Sequence, residues 1–448
     1  MQRSQLIPAL LLSLAAAFTT LPASAQTGTV TVEVKGVRNS TGNLLANLCA
    51  EGGQFPGPCM THMGLAKAEE GTTSVGFIHV PPGRYALQIF HDEDQNMMPN
   101  IPPEGFAFGN DATYPPTFDT AAITVSGDTT VSVTMQYLPA PRAAAQPAMH
   151  GVAAPVGTTR ADVRDNGLNG VLYRPEGSAR VPAILVLGGS EGGLQGASSV
   201  GSAFAQHGYA VLALAYFMDD GLPRTLENIP LEYFDKAVDW LRAQPGIDAN
   251  HIGVIGGSRG SEAALLLASR RADIKAAAAF APSGIVWQGL NFANPMNMGP
   301  AWTLAGKPLP YLMPDGMAYR PGAPMKPMFD HALTQIDAHP GVHIPVEQIN
   351  GPILLVSGKA DALWPSFEMS EAIVKRLGEK GFKHPVEHLS YETAGHMVFA
   401  GDPASPSAQA GAKVPANPVL GGNGKANAAA WADNWPKAVA FFDAALKE

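Results

Sequence analysis

The sequence predicts a doubly wound, mostly parallel α/β domain behind a small all-β domain, and three observations carry that expectation. From about residue 160 short apolar runs alternate with helix-like stretches, the texture of strands buried on both faces. Residues 27–137 instead show β-branched and aromatic alternation bounded by Gly, Pro, Asn and Asp, with no helical period. Between them, residues 138–160 begin with a run dominated by Pro and Ala that has no periodicity, which reads as a linker.

At the N-terminus, Met1-Gln2-Arg3 is a short positive region and residues 6–18 form an apolar run containing Leu10-Leu11-Leu12. Ala23-Ser24-Ala25 before Gln26 then fits an A-x-A cleavage site. We read residues 1–25 as a signal peptide cut after Ala25, which makes the mature chain periplasmic or secreted. The apolar run is shorter than the roughly 20 residues a bilayer span needs. No other stretch is long and apolar enough, so no membrane span is expected after cleavage.

In the β region, residues 29–34, 85–90 and 130–135 are the clearest strands, and an antiparallel sandwich is expected. Cys49 and Cys59 are the chain's two cysteines. A disulfide and a pair of reduced buried thiols both remain open. Asp92, Asp94 and Asn96 alternate like a calcium loop, but Met97 stands where the glycine belongs and no glutamate follows at the twelfth position. A solvated acidic turn is expected there, and no metal or cofactor anywhere.

The C-terminal domain, 161–448, offers buried strands at 183–187, 210–215, 252–255, 276–281 and 353–356, with helices at 231–244 and 261–270. Residues 284–346 interrupt this rhythm. They are rich in Pro, Met and Gly with scattered aromatics, and an insertion of that length is expected to form a lid or pocket wall. With 448 residues and 46% hydrophobic content the chain can bury two cores. A net charge of −9 argues against nucleic acid as a partner.

The chemistry centres on Gly256-Gly257-Ser258-Arg259-Gly260, a G-x-S-x-G motif between a strand and a helix. A turn that sharp strains the nucleophile's backbone, and the flanking glycines supply room. This is the nucleophile turn of the α/β-hydrolase fold, in which the order is serine, acid, histidine. A serine hydroxyl needs a base, and His396 sits near the end of the domain on the loop after a late strand. His384 and His388 lie at the entrance of that strand and within it, so both read as structural. Asp361 follows the apolar run 353–356 and is placed to orient the histidine. Asp219 and Asp220 precede the serine, which is the wrong order. The oxyanion hole is assigned to the backbone N–H of Arg259 and one from Gly188-Gly189-Ser190-Glu191-Gly192-Gly193, given to Ser190 with Glu191 as its neighbouring alternative.

These motifs, in this order, resemble the C-terminal catalytic domain shared by acyl-CoA thioester hydrolases and bile acid-CoA:amino acid N-acyltransferases. The matching stretches include residues 188–193, 222–227, 231–234, 256–262, 346–355, 363–366, 394–396 and 435–442. The resemblance implies a Ser/Asp/His triad on Ser258, Asp361 and His396, and a small-molecule acyl ester or thioester as substrate. Residues 29–137 resemble a family of uncharacterised bacterial exported β domains, with the match carried by 77–86, 90–96 and 105–110. The family normally carries a different β domain in front.

The expected function is therefore an exported serine hydrolase. An acyltransferase using the same acyl-enzyme and a non-catalytic envelope binding protein are the alternatives. The sequence assigns no oligomeric state.

Overall fold

The computed structural model describes residues 27–51, 55, 62–93, 104–137, 151–177, 179–291, 298–316, 323–399, 401–405, 408–409, 412–413 and 417–447. The expected signal segment, Cys59, Asp94, Asn96, Met97 and most of the 138–160 linker lie outside them.

The N-terminal strands are β1 (Gly28–Val37), β2 (Asn43–Ala50), β3 (His62–Lys67), β4 (Gly71–Val80), β5 (Gly83–Asp92) and β6 (Gly105–Phe108). A single turn of helix, α1 (Phe118–Ala121), precedes β7 (Ala122–Val125) and β8 (Thr129–Thr134). They make a sheet ordered β4-β1-β8 and another ordered β3-β2-β5-β6, with β7 also paired to β5. Period-2 alternation points Val30, Val32 and Val34 of one sheet at Leu44, Leu87 and Ile89 of the other, and these residues share one buried core. The sandwich follows from that alternation. One pair departs from the antiparallel expectation: β1 and β8 run parallel, Val30 opposite Thr129 through Lys35 opposite Thr134.

One finer reading is settled in this region. Cys49 is buried and disulfide-bonded. Of the expected acidic turn, Asp92 is buried, while Asp94 and Asn96 lie outside the described residues; Glu104, further along, is buried as well. Glu93 pairs with Arg38, accepts from Asn39 at 2.7 Å, and its own N–H donates to Glu104 at 2.8 Å.

The α/β region contains β9 (Thr158–Val163), β10 (Asn169–Pro175), β11 (Val181–Leu187), α2 (Gln195–Ala205), β12 (Ala210–Ala215), β13 (Ile229–Pro230) and α3 (Glu232–Ala243). It continues with β14 (Ile247–Gly257), α4 (Arg259–Arg270), β15 (Ile274–Phe280), β16 (Trp302–Leu304), β17 (Lys307–Pro308) and α5 (Lys326–Leu333). The last elements are β18 (Ile353–Gly358), α6 (Ser366–Glu379), β19 (Val386–Tyr391) and α7 (Gly424–Leu446). Eight strands form one sheet in the order β9-β10-β12-β11-β14-β15-β18-β19. All pairs from β12 to β19 are parallel, and only β10 runs against its neighbours. This is the α/β-hydrolase arrangement.

The central strands read as unbroken apolar runs because both faces are covered. Leu185, Leu212 and Val254 face one core with Leu265 and Leu266 of α4. Val186, Val211 and Ile255 face a second core with Phe442 of α7. In α3 the buried positions Phe234, Ala237, Val238 and Leu241 follow the i, i+3, i+4, i+7 pattern that fixes an amphipathic helix.

The expected insertion is more structured than a loop. Residue Ile229 of β13 pairs with Trp302 of β16, and β16 turns back onto β17. Ile285, Trp287, Leu312, Ala332 and Val342 make a small core with Trp364 and Met369 of the main domain. The Glu227 carboxylate accepts Asn291 Nδ2–H at 2.8 Å and Gly299 N–H at 2.6 Å, fastening this segment to the loop after β12.

Candidate active site

Strand β14 ends and α4 begins around a single residue, Ser258, whose backbone sits at φ 51°, ψ −120°. That left-handed φ is costly for a residue with a side chain. It is held by the Ser258 N–H donating to Phe280 O at 2.8 Å, while Ser258 O accepts from Ser261 N–H at 2.9 Å. The motif's outer glycines are steric necessities. A Cβ at Gly256 would lie 2.0 Å from Gly260 O, and one at Gly260 would lie 2.2 Å from Gly188 O. Gly257 has open space where its Cβ would be.

Two side chains from distant loops meet the serine above this turn. His396, on the loop after β19, places Nε2 2.9 Å from Ser258 Oγ. Its Nδ1 lies 3.0 Å from Asp361 Oδ2, on the turn after β18. Asp361 is itself fixed: Oδ1 accepts Leu363 N–H (2.9 Å) and Trp364 N–H (3.2 Å), and Oδ2 accepts Ser366 Oγ–H at 2.6 Å. An acceptor-only carboxylate on Nδ1 makes that nitrogen the donor, which leaves Nε2 as the acceptor facing the serine hydroxyl. The Trp364 ring stands edge-on to the His396 ring at 5.8 Å, and both His396 and Asp361 are buried. Asp219 and Asp220 take no part in this chain.

On the other side of Ser258 lies the loop after β11. A Cβ on Gly189 would be 3.2 Å from Ser258 Cβ, so the loop passes close beside the serine. The Gly189 N–H is taken by Glu191 Oε1 at 2.9 Å and the Gly193 N–H by Phe217 O at 2.9 Å. The N–H groups of Ser190 and Glu191 have no partner among the described residues. Arg259, first residue of α4, has a backbone N–H with no intrahelical acceptor, as every helix start does.

The Arg259 side chain was not anticipated. It is buried, with one guanidinium nitrogen 3.1 Å from Glu262 Oε2 and another donating to Trp287 O (3.2 Å) and Gln288 O (2.9 Å). Burial pushes the Glu262 carboxyl up, and Arg259 and the Trp287 and Trp302 N–H donors oppose that. The sequence held a signal for this pair, a cation and a carboxylate three apart inside an otherwise apolar helix.

His388 makes a second serine–histidine–carboxylate chain, with Nε2 2.8 Å from Ser357 Oγ and Nδ1 2.8 Å from Glu371 Oε1. Ser357 is fully buried within β18. This chain is a cross-strand polar link, in keeping with a structural His388.

Residues 229–448 match the family described as "BAAT / Acyl-CoA thioester hydrolase C terminal". The thioester hydrolase C-terminal match contains Ser258, Asp361 and His396, whereas β11 and the 188–193 loop precede it. Residues 32–133 match a family described as uncharacterized proteins conserved in bacteria. The chain is similar to acyl-coenzyme A thioesterase 2, mitochondrial, of Mus musculus, at 31% identity over 288 residues, 64% of this chain and 60% of that relative. It is also similar to acyl-coenzyme A amino acid N-acyltransferase 2 of Rattus norvegicus, at 32% identity over 290 residues, 64% of this chain and 65% of that one. The chain thus spans under two thirds of each. Among solved structures, esterase B from Lactobacillus rhamnosis (HN001) aligns at a TM-score of 0.39 and 16% identity, covering 66% of this chain and 88% of that one.

Proposed function

We propose that this chain is a serine hydrolase that cleaves a small-molecule carboxylic ester or thioester through an acyl-enzyme on Ser258. The observation that carries the reading is the unbroken hydrogen-bonded chain Ser258 Oγ, His396, Asp361, on a strained strand-to-helix turn. His396 Nε2 takes the hydroxyl proton as Oγ attacks the acyl carbonyl, then gives it to the departing alkoxide or thiolate. Water attacks the acyl-enzyme as His396 takes its proton, the Oγ–acyl bond breaks, His396 returns the proton to Ser258 Oγ, and the acid is released. Asp361 keeps Nδ1 protonated and stabilises the imidazolium. The N–H groups of Arg259 and Ser190, with Glu191 as the neighbouring alternative, receive the developing oxyanion.

The thioesterase and N-acyltransferase relatives support an acyl-transfer chemistry and leave open whether water or an amine is the acceptor. Ser258 favours water. The signal-like N-terminal 25 residues support a periplasmic or secreted mature enzyme, where acyl-CoA is scarce, and on that reading another ester or thioester is the expected substrate. No helix among the described residues is long and apolar enough to cross a membrane.

A fluorophosphonate probe with graded-chain esters and thioesters tests the reading. Wild type should be labelled and turn over at least one of them, while Ser258→Ala should lose labelling and several orders of magnitude of kcat. Turnover surviving that change would exclude Ser258. Added amine diverting product from acid to amide would favour the acyltransferase.

A further inference from the structure

Loops that carry a catalytic base have no regular hydrogen-bond lattice of their own, so something must fix them. Here the fixing group is one face of the last helix. Asn427, Trp431 and Asn434 on α7 are four and three residues apart, which puts them in one row along the helix. Asn427 Oδ1 accepts the Gly395 N–H at 2.9 Å. Trp431 Nε1–H donates to Met397 O at 2.7 Å, and Asn434 Nδ2–H donates to Val398 O at 2.8 Å. All three side chains are buried. The residue between them, His396, donates its own N–H to Leu420 O at 2.8 Å, and the same carbonyl receives Ala362 N–H, beside Asp361, at 3.4 Å. Just beyond, Phe399 stacks on Phe280 at 3.6 Å between centroids, and Phe280 O holds the Ser258 N–H.

We propose that Asn427, Trp431 and Asn434 are positioning residues that set the distance and angle of the His396 imidazole between Ser258 and Asp361. The inference rests on the hydrolase reading above and deepens it. A row of three directed bonds on a rigid helix fixes the peptide planes on both sides of the histidine. A shift of about 1 Å in such a base costs on the order of 100-fold in rate.

The two asparagines face the loop with opposite polarity, and that gives a sharp test. An aspartate at 427 still accepts the Gly395 N–H. An aspartate at 434 has no proton to donate and sets a carboxylate against the Val398 carbonyl. We therefore expect Asn427→Asp to lose less kcat than Asn427→Ala, and Asn434→Asp to lose at least as much as Asn434→Ala. With p-nitrophenyl acetate well below each variant's Tm, Asn427→Ala, Asn434→Ala and Trp431→Phe should each lower kcat about 10-fold or more, with KM little changed. The second readout needs no turnover: the downfield proton NMR resonance of His396 Nδ1–H, assigned by its loss in His396→Ala, should shift or broaden in the same order. Equal losses for the two aspartate variants would overturn the proposal. So would a resonance identical to wild type in all of them, since a role confined to stability moves Tm and not the imidazole. Turnover persisting in Ser258→Ala would sink the hydrolase reading instead, and the resonance would still judge the brace.

Discussion

Glu262 receives the indole N–H of Trp302 at 2.7 Å and the backbone N–H of Trp287 at 2.9 Å, so one buried carboxylate joins α4 to two points of the insertion. Its charge is balanced by Arg259, which grips the Trp287 and Gln288 carbonyls in turn. The start of α4 and the insertion are thereby joined by one polar unit inside an apolar core.

Breaking that pair should be costly. Glu262→Gln keeps an acceptor for both tryptophans but leaves Arg259 buried without a counter-charge, and should destabilise the fold by about 3 kcal/mol or more. Replacing both residues, Arg259→Met with Glu262→Gln, should lose less than the two single losses combined. Urea unfolding of the four proteins measures this, and a single-variant loss under about 1 kcal/mol would contradict it.

The role of Asp361 predicts a tautomer effect. Asp361→Asn can still accept the Leu363 and Trp364 N–H groups, so folding should be nearly normal. Its amide would face His396 Nδ1 with a donor and reverse the ring's proton arrangement. The expected fall in kcat is on the order of 10⁴ with Tm little moved; a fall under about 10-fold would remove Asp361 from the chemistry.

The glycines of the motif should differ sharply. Gly260→Ala drives a methyl into the Gly188 and Leu187 carbonyls, so α4 must shift and fluorophosphonate labelling should be lost. Gly257→Ala meets open space and should change Tm by no more than a few degrees. Thermal melts and labelling gels on the pair decide it.

Acid should weaken one specific surface network. Arg271 binds both oxygens of Asp273, at 2.9 and 2.6 Å, and Arg242 adds a third contact, which holds this carboxyl down at about 2. Because the folded state binds the proton less readily than the unfolded chain, the contribution is complete above about pH 4 and lost as pH falls through about 2. Asp273 is partly exposed, so screening limits the effect to about 1 kcal/mol. Asp273→Asn should lower stability at pH 7, and the gap to wild type should close near pH 2. A gap independent of pH would be inconsistent with the pairing.

The parts of the site legible in the sequence were those that local rules dictate. A G-x-S-x-G between an apolar strand and a helix leaves few conformations for Ser258; the fold's order then selects Asp361 over Asp219, and a place on the loop after the late strand selects His396 over His388 within it. Long-range pairing was not legible. Nothing local says that β8 lies parallel to β1, or that Asp92 is buried, because both depend on partners far along the chain. The contacts of the Arg259–Glu262 pair were not legible either, because they are made with Trp287, Gln288 and Trp302 of the insertion. Asn427 and Asn434 are polar residues in a helix of otherwise mixed character, and only the loop they face gives them a task.

The helix that grips the histidine loop follows every strand of the sheet in the chain. A nascent polypeptide therefore carries its hydroxyl and its carboxylate on finished strands well before the imidazole has a seat. On the proposed reading, hydrolytic competence should arrive abruptly once α7 has been made, and not grow in step with the domain.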